Sequence, residues 1–321
     1  MAPDVCESSS SPESPLLPES LRRERLSRYD IGTYPFAGII SAILTPDGEP
    51  VPLSTLHRSS AASSWLEGAH RNEARAYAMR RNAFDKRFKE SGSFRRSEAL
   101  NEVYLRLLRD VVAPIIREAI PECEELLYQV EPNFRCHLPG TGHLLVHKHC
   151  DGPDYHHQPH ELNFWLPLTS CFGSNTLWAE SAPGAADFHP FELQYGQLLS
   201  FWGSQCAHCA SARPHVHRAR PSSTPSHRAL ACRSGPCPTW PPPRCVSDTH
   251  VSCGGTCHVG ADTVPNETDA TRCSIDFRVV PRALYRERYS QSHRSDGMPR
   301  FAPGGFFAVM DLRDGSSRRD L

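Results

Sequence analysis

Residues 147–208 read HKHCDGPDYHHQPHELNFWLPLTSCFGSNTLWAESAPGAADFHPFELQYGQLLSFWGSQCAH. The stretch opens on a His-x-Asp pair, His149 and Asp151, and closes on His208 at the end of an apolar run led by Gly196. On an extended strand, or at its exit, side chains at i and i+2 point the same way, so this pair can offer one ligand atom each to a single ion. A third ligand should come from a neighbouring strand, and the Gly196 run supplies it: His208 stands 12 positions after the glycine. Two imidazoles and one carboxylate leave metal positions open, which suits non-haem iron(II) that must bind further ligands. The chain has 17 His, so a lone His-x-Asp arises easily by chance. The apolar strand ending on a histidine is what gives the pair weight.

The surroundings of the pair are short strands. LLYQV (126–130), FRCHL (134–138), HLLVHKH (143–149), LNFWLPL (162–168), NTLWAES (175–181), FHPFELQ (188–194) and QLLSFWG (197–203) are separated by Pro, Gly and Asn. Many short strands with regular turns predict a sandwich or barrel. Double-sheet jelly rolls include the cupins, whose inward faces hold metals. The expected fold is α+β, mainly β: a double-stranded β-helix of the jelly-roll or cupin-like kind with an N-terminal helical brace.

The brace is expected within about 68–121. Leu100, Val103, Tyr104, Leu107, Leu108, Val111 and Val112 repeat at helical spacing over 96–113, with Ser97 able to cap the start and Pro114 to end or kink it. Residues 68–91 read as a basic helix, whose charge is that of a solvated face. YPFAGIISAILTPDGEPVPL (34–53) reads as a strand, a Pro-Asp-Gly turn and a return strand. Residues 1–30 read as a disordered Ser-, Pro- and Glu-containing leader, 304–312 as a final strand and 313–321 as a tail, with one domain over 31–312.

Near the C-terminus the chain reads TRCSIDFRVVP (271–281). As a strand it turns Arg272, Ser274, Asp276 and Arg278 to one side, and Cys273, Ile275, Phe277 and Val279 to the other. A guanidinium fork beside a hydroxyl suits a carboxylate ligand. Taken alone, the same pattern also fits a surface salt bridge on an amphipathic strand.

His-x-Asp, a distal His and a following Arg-x-Ser resemble the Fe(II)/2-oxoglutarate-dependent oxygenases. The wider run, with HKH-D-DY-HQP-ELNFWLPLT, NTLWAES-PG-DFHP and TRCSIDFRVVP, more closely resembles oxygenase-like proteins associated with streptomycin-type biosynthetic clusters. The likeness covers roughly 130–208 and 263–310. It implies a dioxygenase that uses Fe(II), O₂ and 2-oxoglutarate to hydroxylate or otherwise oxidise a small biosynthetic molecule, with succinate formed. By position, His149, Asp151 and His208 would hold iron. Arg272, with Ser274, would grip the distal carboxylate of 2-oxoglutarate, and Asn163 and Trp165 would line the pocket. Tyr155, His157, Gln158 and Trp165 are the substrate-side candidates.

Residues 209–262 fit that pattern poorly. They are rich in Pro, Arg, Ser, Cys and His, and a long structureless loop inside a compact barrel counts against an assignment. Non-coding sequence translated into the chain, a disordered insertion, and a zinc knuckle built on Cys206, Cys209, Cys253, Cys257 and His258 are the competing readings. His258 is also an alternative distal ligand. An insertion here could splay the two strands it separates, so a catalytically inactive or non-redox metal-binding cupin-like protein stands as the alternative function. A Ser-His hydrolase lacks its G-x-S-x-G elbow.

Composition agrees with a protein outside membranes and off nucleic acid. The net charge is −1, and no apolar run approaches roughly 18 residues. The N-terminus lacks the basic and apolar regions of a secretory signal, so a cytoplasmic location is expected. The six cysteines outside 206–257 then read as reduced thiols.

Overall fold

The computed structural model describes residues 17–45, 50–59, 88, 94–140, 147–210, 212–213, 262–290 and 301–318. In chain order the elements are α1 (Glu19–Arg22), β1 (Arg25–Arg28), α2 (Phe36–Leu44), α3 (Glu98–Leu107), α4 (Ala113–Ala119), β2 (Glu125–Gln129), β3 (Asn133–His137), α5 (Asp151–Tyr155) and β4 (Leu162–Pro167). They continue with β5 (Leu177–Ala179), β6 (His189–Pro190), β7 (Gln197–Phe201), β8 (His208–Ala210), β9 (Ala212–Arg213), β10 (Asp262–Thr263), β11 (Arg272–Pro281), β12 (Phe307–Asp311) and β13 (Ser317–Arg318).

The fold is mainly antiparallel β-sheet with a few helices. The large sheet runs β1-β7-β4-β11-β2-β12-β13, with β3 also on β11, and a small sheet runs β6-β5-β8. The ten-residue β11 is the central strand. One edge pairs with β4 (Ser274↔Pro167 to Val279↔Leu162), and the other pairs first with β3 and then with β2. Alternation along β11 therefore serves two environments. Cys273, Ile275, Phe277 and Val279 join Phe164 and Leu166 of β4 in the main core, together with Leu100, Val103, Tyr104 and Leu107 of α3. Arg272, Ser274, Asp276 and Arg278 take the other face, as the period-2 reading predicts.

The helical brace is formed as expected on 98–119. Ser97 caps α3, accepting the Leu100 N–H at 3.3 Å. Pro114 neither ends nor breaks the run. Leu108–Val112 form a π turn, and Pro114 sits in the first turn of α4. There its missing N–H is tolerated, and Ile115 and Ile116 continue the buried stripe. Of the basic helix expected at 68–91, only Phe88 lies within the described residues; it packs on Phe134 at 4.6 Å between ring centres.

Four expectations need correction. Residues 36–44 are a helix, not a strand: Phe36, Ile40 and Leu44 recur every four residues and are fully buried, and that period outweighed the β-like composition. The leader ends earlier than residue 30. Leu17 and Leu21 are buried one helical turn apart, and β1 pairs with β7 in register Arg25↔Ser200 to Arg28↔Gln197. The segment expected to be irregular over 209–262 is paired strand where its two ends are described. Cys209 and Ala210 belong to β8, and Ala212–Arg213 pairs with Asp262–Thr263, which brings the two ends of the segment together. The tail residues Ser317–Arg318 form a hairpin partner for β12. HLLVHKH before His147, and the cysteines and histidine beyond residue 213, lie outside the described residues. Among the described residues no helix is long and apolar enough to cross a membrane.

Phe277 is 1% exposed, stacks on Phe164 at 5.3 Å and meets Tyr104 edge-on at 5.2 Å. Phe277→Ala should cost about 3–5 kcal/mol. A denaturant midpoint equal to that of the unaltered protein would contradict this packing.

Candidate metal centre

His149 and His208 are joined by their backbones. The His149 N–H donates to the His208 carbonyl at 3.0 Å, and the His208 N–H donates to the His149 carbonyl at 2.9 Å. Two residues on, the Asp151 N–H donates to the Gly203 carbonyl at 3.0 Å, and the chain turns into α5. Gly152 makes that turn possible, since a Cβ there would stand 2.5 Å from the Ser204 carbonyl oxygen. Asp151 thus stands where the His149 bridge passes into α5, with its side chain still beside the imidazoles.

The three side chains converge. Asp151 Oδ1 lies 3.3 Å from His149 Nε2 and 3.9 Å from His208 Nε2, and one ligand atom from each residue falls within 4.8 Å of the others. The Nδ1 atoms are 2.6 Å from the His147 carbonyl oxygen and 3.0 Å from that of Cys206. A carbonyl only accepts, so each Nδ1 carries the proton and each Nε2 presents a lone pair. Asp151 Oδ2 accepts from Asn163 Nδ2 at 2.7 Å, Arg278 Nε at 2.9 Å and Arg278 Nη2 at 2.7 Å. Oδ1 is buried and has no hydrogen-bond donor. Three buried acceptors facing one another without a donor are costly unless a cation lies between them. Metal bonds of about 2.1 Å at right angles would set ligand atoms about 3 Å apart, near the 3.3 Å of the His149–Asp151 pair and shorter than the 3.9 Å of the His208–Asp151 pair. The donor set fits a divalent metal.

Electrostatics keep His208 and Asp151 in their metal-binding forms. Burial, followed by the charge of His149, pushes the His208 imidazole down to about 4. Burial works against charge on Asp151, but Arg278 foremost, then His149 and His208, outweigh it and hold the carboxyl well below its usual range.

A cavity of about 450 Å³, its open mouth included, adjoins the triad. Asn163 and Trp165 of β4, Phe201 of β7 and Leu177 of β5 wall it, and Arg135, Arg272, Asp276 and Arg278 reach it from β3 and β11. Asp276 is matched by Arg135 at 2.8 Å, and Asp151 by Arg278. Arg272 is 2% exposed and, among the described residues, its Nε has no acceptor and the fully buried Ser274 Oγ, two residues on, has no partner.

Tyr155, His157 and Gln158 are not among the residues that line the cavity. Tyr155 packs on the His149 ring in a T-shaped contact at 4.9 Å. His157 Nδ1 bonds Glu161 Oε2 at 2.6 Å and its ring lies 3.9 Å from that of Phe301, while Gln158 is fully buried and accepts the Arg286 N–H at 3.1 Å. Cys206 and Cys209 are buried, and burial above all pushes their thiols up to about 12 and about 11. His258 lies outside the described residues. Arg278 is the contributor that sequence reasoning placed on the right face but gave no role. Its signal was the i+6 spacing from Arg272 on an alternating strand.

No family model matches the chain. Over 195 residues it is 32% identical to the streptomycin biosynthesis protein StrG of Streptomyces griseus, a span of 59% of this chain and 66% of that protein. The chain is similar to a streptomycin biosynthesis protein. It spans slightly less than two thirds of that relative's length. Fe(II)/2-oxoglutarate oxygenases and related non-haem enzymes are among its structural neighbours. The non-haem monooxygenase ThoJ, as its nickel complex, aligns with 10% identity over 82% of this chain and 76% of its own, at TM-score 0.39. The alpha-ketoglutarate-dependent carbocyclase SnoK of nogalamycin biosynthesis aligns with 11% identity over 67% and 72%, at TM-score 0.36. A Pseudomonas putida prolyl-4-hydroxylase aligns with 14% identity over 58% and 67%, at TM-score 0.31.

His208 makes the metal-free protein acid-sensitive. Its folded value near 4 lies below the 6.5 of an unperturbed histidine, so between these the unfolded chain binds more protons. Stability should fall as pH drops through that window, by up to about 3 kcal/mol. Thermal melting of the metal-free protein against pH reads this loss. His208→Gln should flatten the slope, and an unchanged slope would contradict the assignment.

Proposed function

We propose that the protein is an Fe(II)- and 2-oxoglutarate-dependent oxygenase acting on a small biosynthetic molecule. One observation carries the reading. His149, His208 and Arg272 line one cavity; beside it the two imidazoles face Asp151 Oδ1, which has no donor, and Arg272 Nε and Ser274 Oγ have no acceptor, among the described residues. A cation would satisfy the first group and a carboxylate the second, and 2-oxoglutarate joins them because it chelates a metal at one end and carries a free carboxylate at the other. The similarity to a streptomycin biosynthesis protein supports a small-molecule substrate.

Iron(II) with 2-oxoglutarate supplies O₂ activation, with 2-oxoglutarate decarboxylated to succinate and the substrate oxidised. The chain's own groups place the reactants. His149 Nε2, Asp151 Oδ1 and His208 Nε2 would hold the metal from one side and leave the cavity side open. Arg272 would pair with the far carboxylate through a charge-assisted contact, with the Ser274 hydroxyl beside it. With Arg135 and Arg278 already matched by Asp276 and Asp151, Arg272 is the cation whose charge the dianion would balance. Trp165, Leu177 and Phe201 form an apolar wall that excludes water from the reacting groups. Tyr155, beside His149, is the candidate contact for the substrate.

Purified protein given Fe(II), 2-oxoglutarate and O₂ should form succinate, faster when a true substrate is present. Asp151→Ala should abolish iron binding and turnover. Arg272→Ala should leave iron binding intact and raise the KM for 2-oxoglutarate about tenfold to a hundredfold. Iron bound without any 2-oxoglutarate consumption would instead favour a non-redox metal-binding protein, and succinate formation untouched by both substitutions would remove the mechanism.

A further inference from the structure

We propose that Arg278 is a positioning residue that restricts Asp151 to a one-oxygen contact with the metal and biases the centre towards the divalent ion. The inference rests on the iron reading above and adds to it a role for a side chain that touches neither the metal nor the co-substrate in that scheme.

The geometry of Asp151 is the starting point. Its Oδ2 takes three N–H donors, two from Arg278 and one from Asn163, at 2.7–2.9 Å. A carboxylate oxygen so occupied has no lone pair free for an ion. Only Oδ1 faces the imidazoles. The alternative, a carboxylate chelating through both oxygens, would require breaking the guanidinium fork inside a site where Asp151 is 1% and Arg278 is 7% exposed. Losing one partner of such a buried pair is strongly unfavourable. A one-oxygen carboxylate leaves one more metal position open than a chelating one, and a two-point co-substrate and O₂ together need three.

Charge is the second consequence. Arg278 stands among three carboxylates: Asp151 at 2.7 Å, Asp276 at 3.7 Å and Glu161 at 4.0 Å. Glu161 in turn is held by His157. The guanidinium therefore has a fixed position, and its charge, offset in part by these carboxylates, acts on the ligand side of the metal, where low dielectric strengthens its effect. That charge repels a trivalent ion more than a divalent one and draws electron density out of the ligating carboxylate. Groups that hydrogen-bond metal ligands tune potential as well as orientation. The expected result is a centre that keeps iron in its divalent, O₂-reactive state between turnovers.

The test compares iron midpoint potentials in the full-length protein, with iron itself as the probe. Arg278→Gln removes the charge but can still donate to Asp151. It should shift the balance of Fe(III) over Fe(II) binding at least tenfold towards Fe(III), a fall of about 59 mV for a one-electron couple. Arg278→Lys keeps the charge and should stay within about threefold of the unaltered protein. Asp276→Asn leaves the Arg278 charge less screened and should move the potential the other way, upwards. A folded Arg278→Gln protein with an unmoved potential overturns the proposal. Should that variant fail to fold, an Asp276→Asn potential that stays level or falls overturns it instead. Failure of the unaltered protein to bind iron would remove the oxygenase reading and this proposal together, whereas a normal parent centre beside an unmoved variant removes this proposal alone.

Discussion

A single buried carboxylate organises this protein's chemistry. Asp151 has one oxygen saturated by Arg278 and Asn163 and the other left bare between two imidazoles. Each half constrains a different part of the chain. The saturated oxygen requires Arg278 on β11 and Asn163 on β4 to stand opposite one another, and their register is Arg278↔Asn163. The bare oxygen requires the chain at His149 to lie against His208, which the backbone bridge between the two histidines secures. A slip of one residue in β11 would turn Arg278 into the core and expose Phe277 to the cavity.

Burying this much charge is unfavourable unless it is paired, and the pairing is local. Arg278 answers Asp151, Arg135 answers Asp276, and His157 answers Glu161. Asp151 Oδ1, facing the two imidazoles, and the Arg272 Nε and Ser274 Oγ donors are left unmatched among the described residues. A fold can tolerate such groups where a ligand completes them. The rigid support is the large sheet, backed on its other face by the apolar side of β11 and by α3 and α4. Asn163, His208, Arg272 and Arg278 therefore sit on strands, while His149 stands at an isolated β-bridge and Asp151 opens α5.

Much of this was legible in the sequence because strand alternation writes two faces into one string. TRCSIDFRVVP states both the core face and the polar face, whereas the Gly196 run does not end on His208 as expected: its strand β7 stops at Phe201, and His208 opens β8 in the small sheet. What local pattern could not carry were partners distant in the chain. Arg278 and Asp151 lie 127 residues apart, so only the sheet register reveals their contact. His157 and Gln158 looked like substrate contacts from their nearness to His149, but the left-handed His156 at φ 63° redirects the chain, and both turn into buried hydrogen bonds. The helix at Phe36–Leu44 was misread because Ile, Phe and Leu favour strands by composition, while their four-residue period decides the structure. Residues 212–213 and 262–263 pair across a stretch with no strand-like signal between them, a contact that composition alone hides.

The claim that three side chains form one metal centre is open to direct observation. Crystals of the protein grown with manganese(II), measured near the manganese absorption edge, should show a single strong anomalous peak in contact with His149 Nε2, Asp151 Oδ1 and His208 Nε2, with Asp151 Oδ2 remaining on Arg278. A peak elsewhere, or none beside these atoms at saturating manganese, would contradict the account.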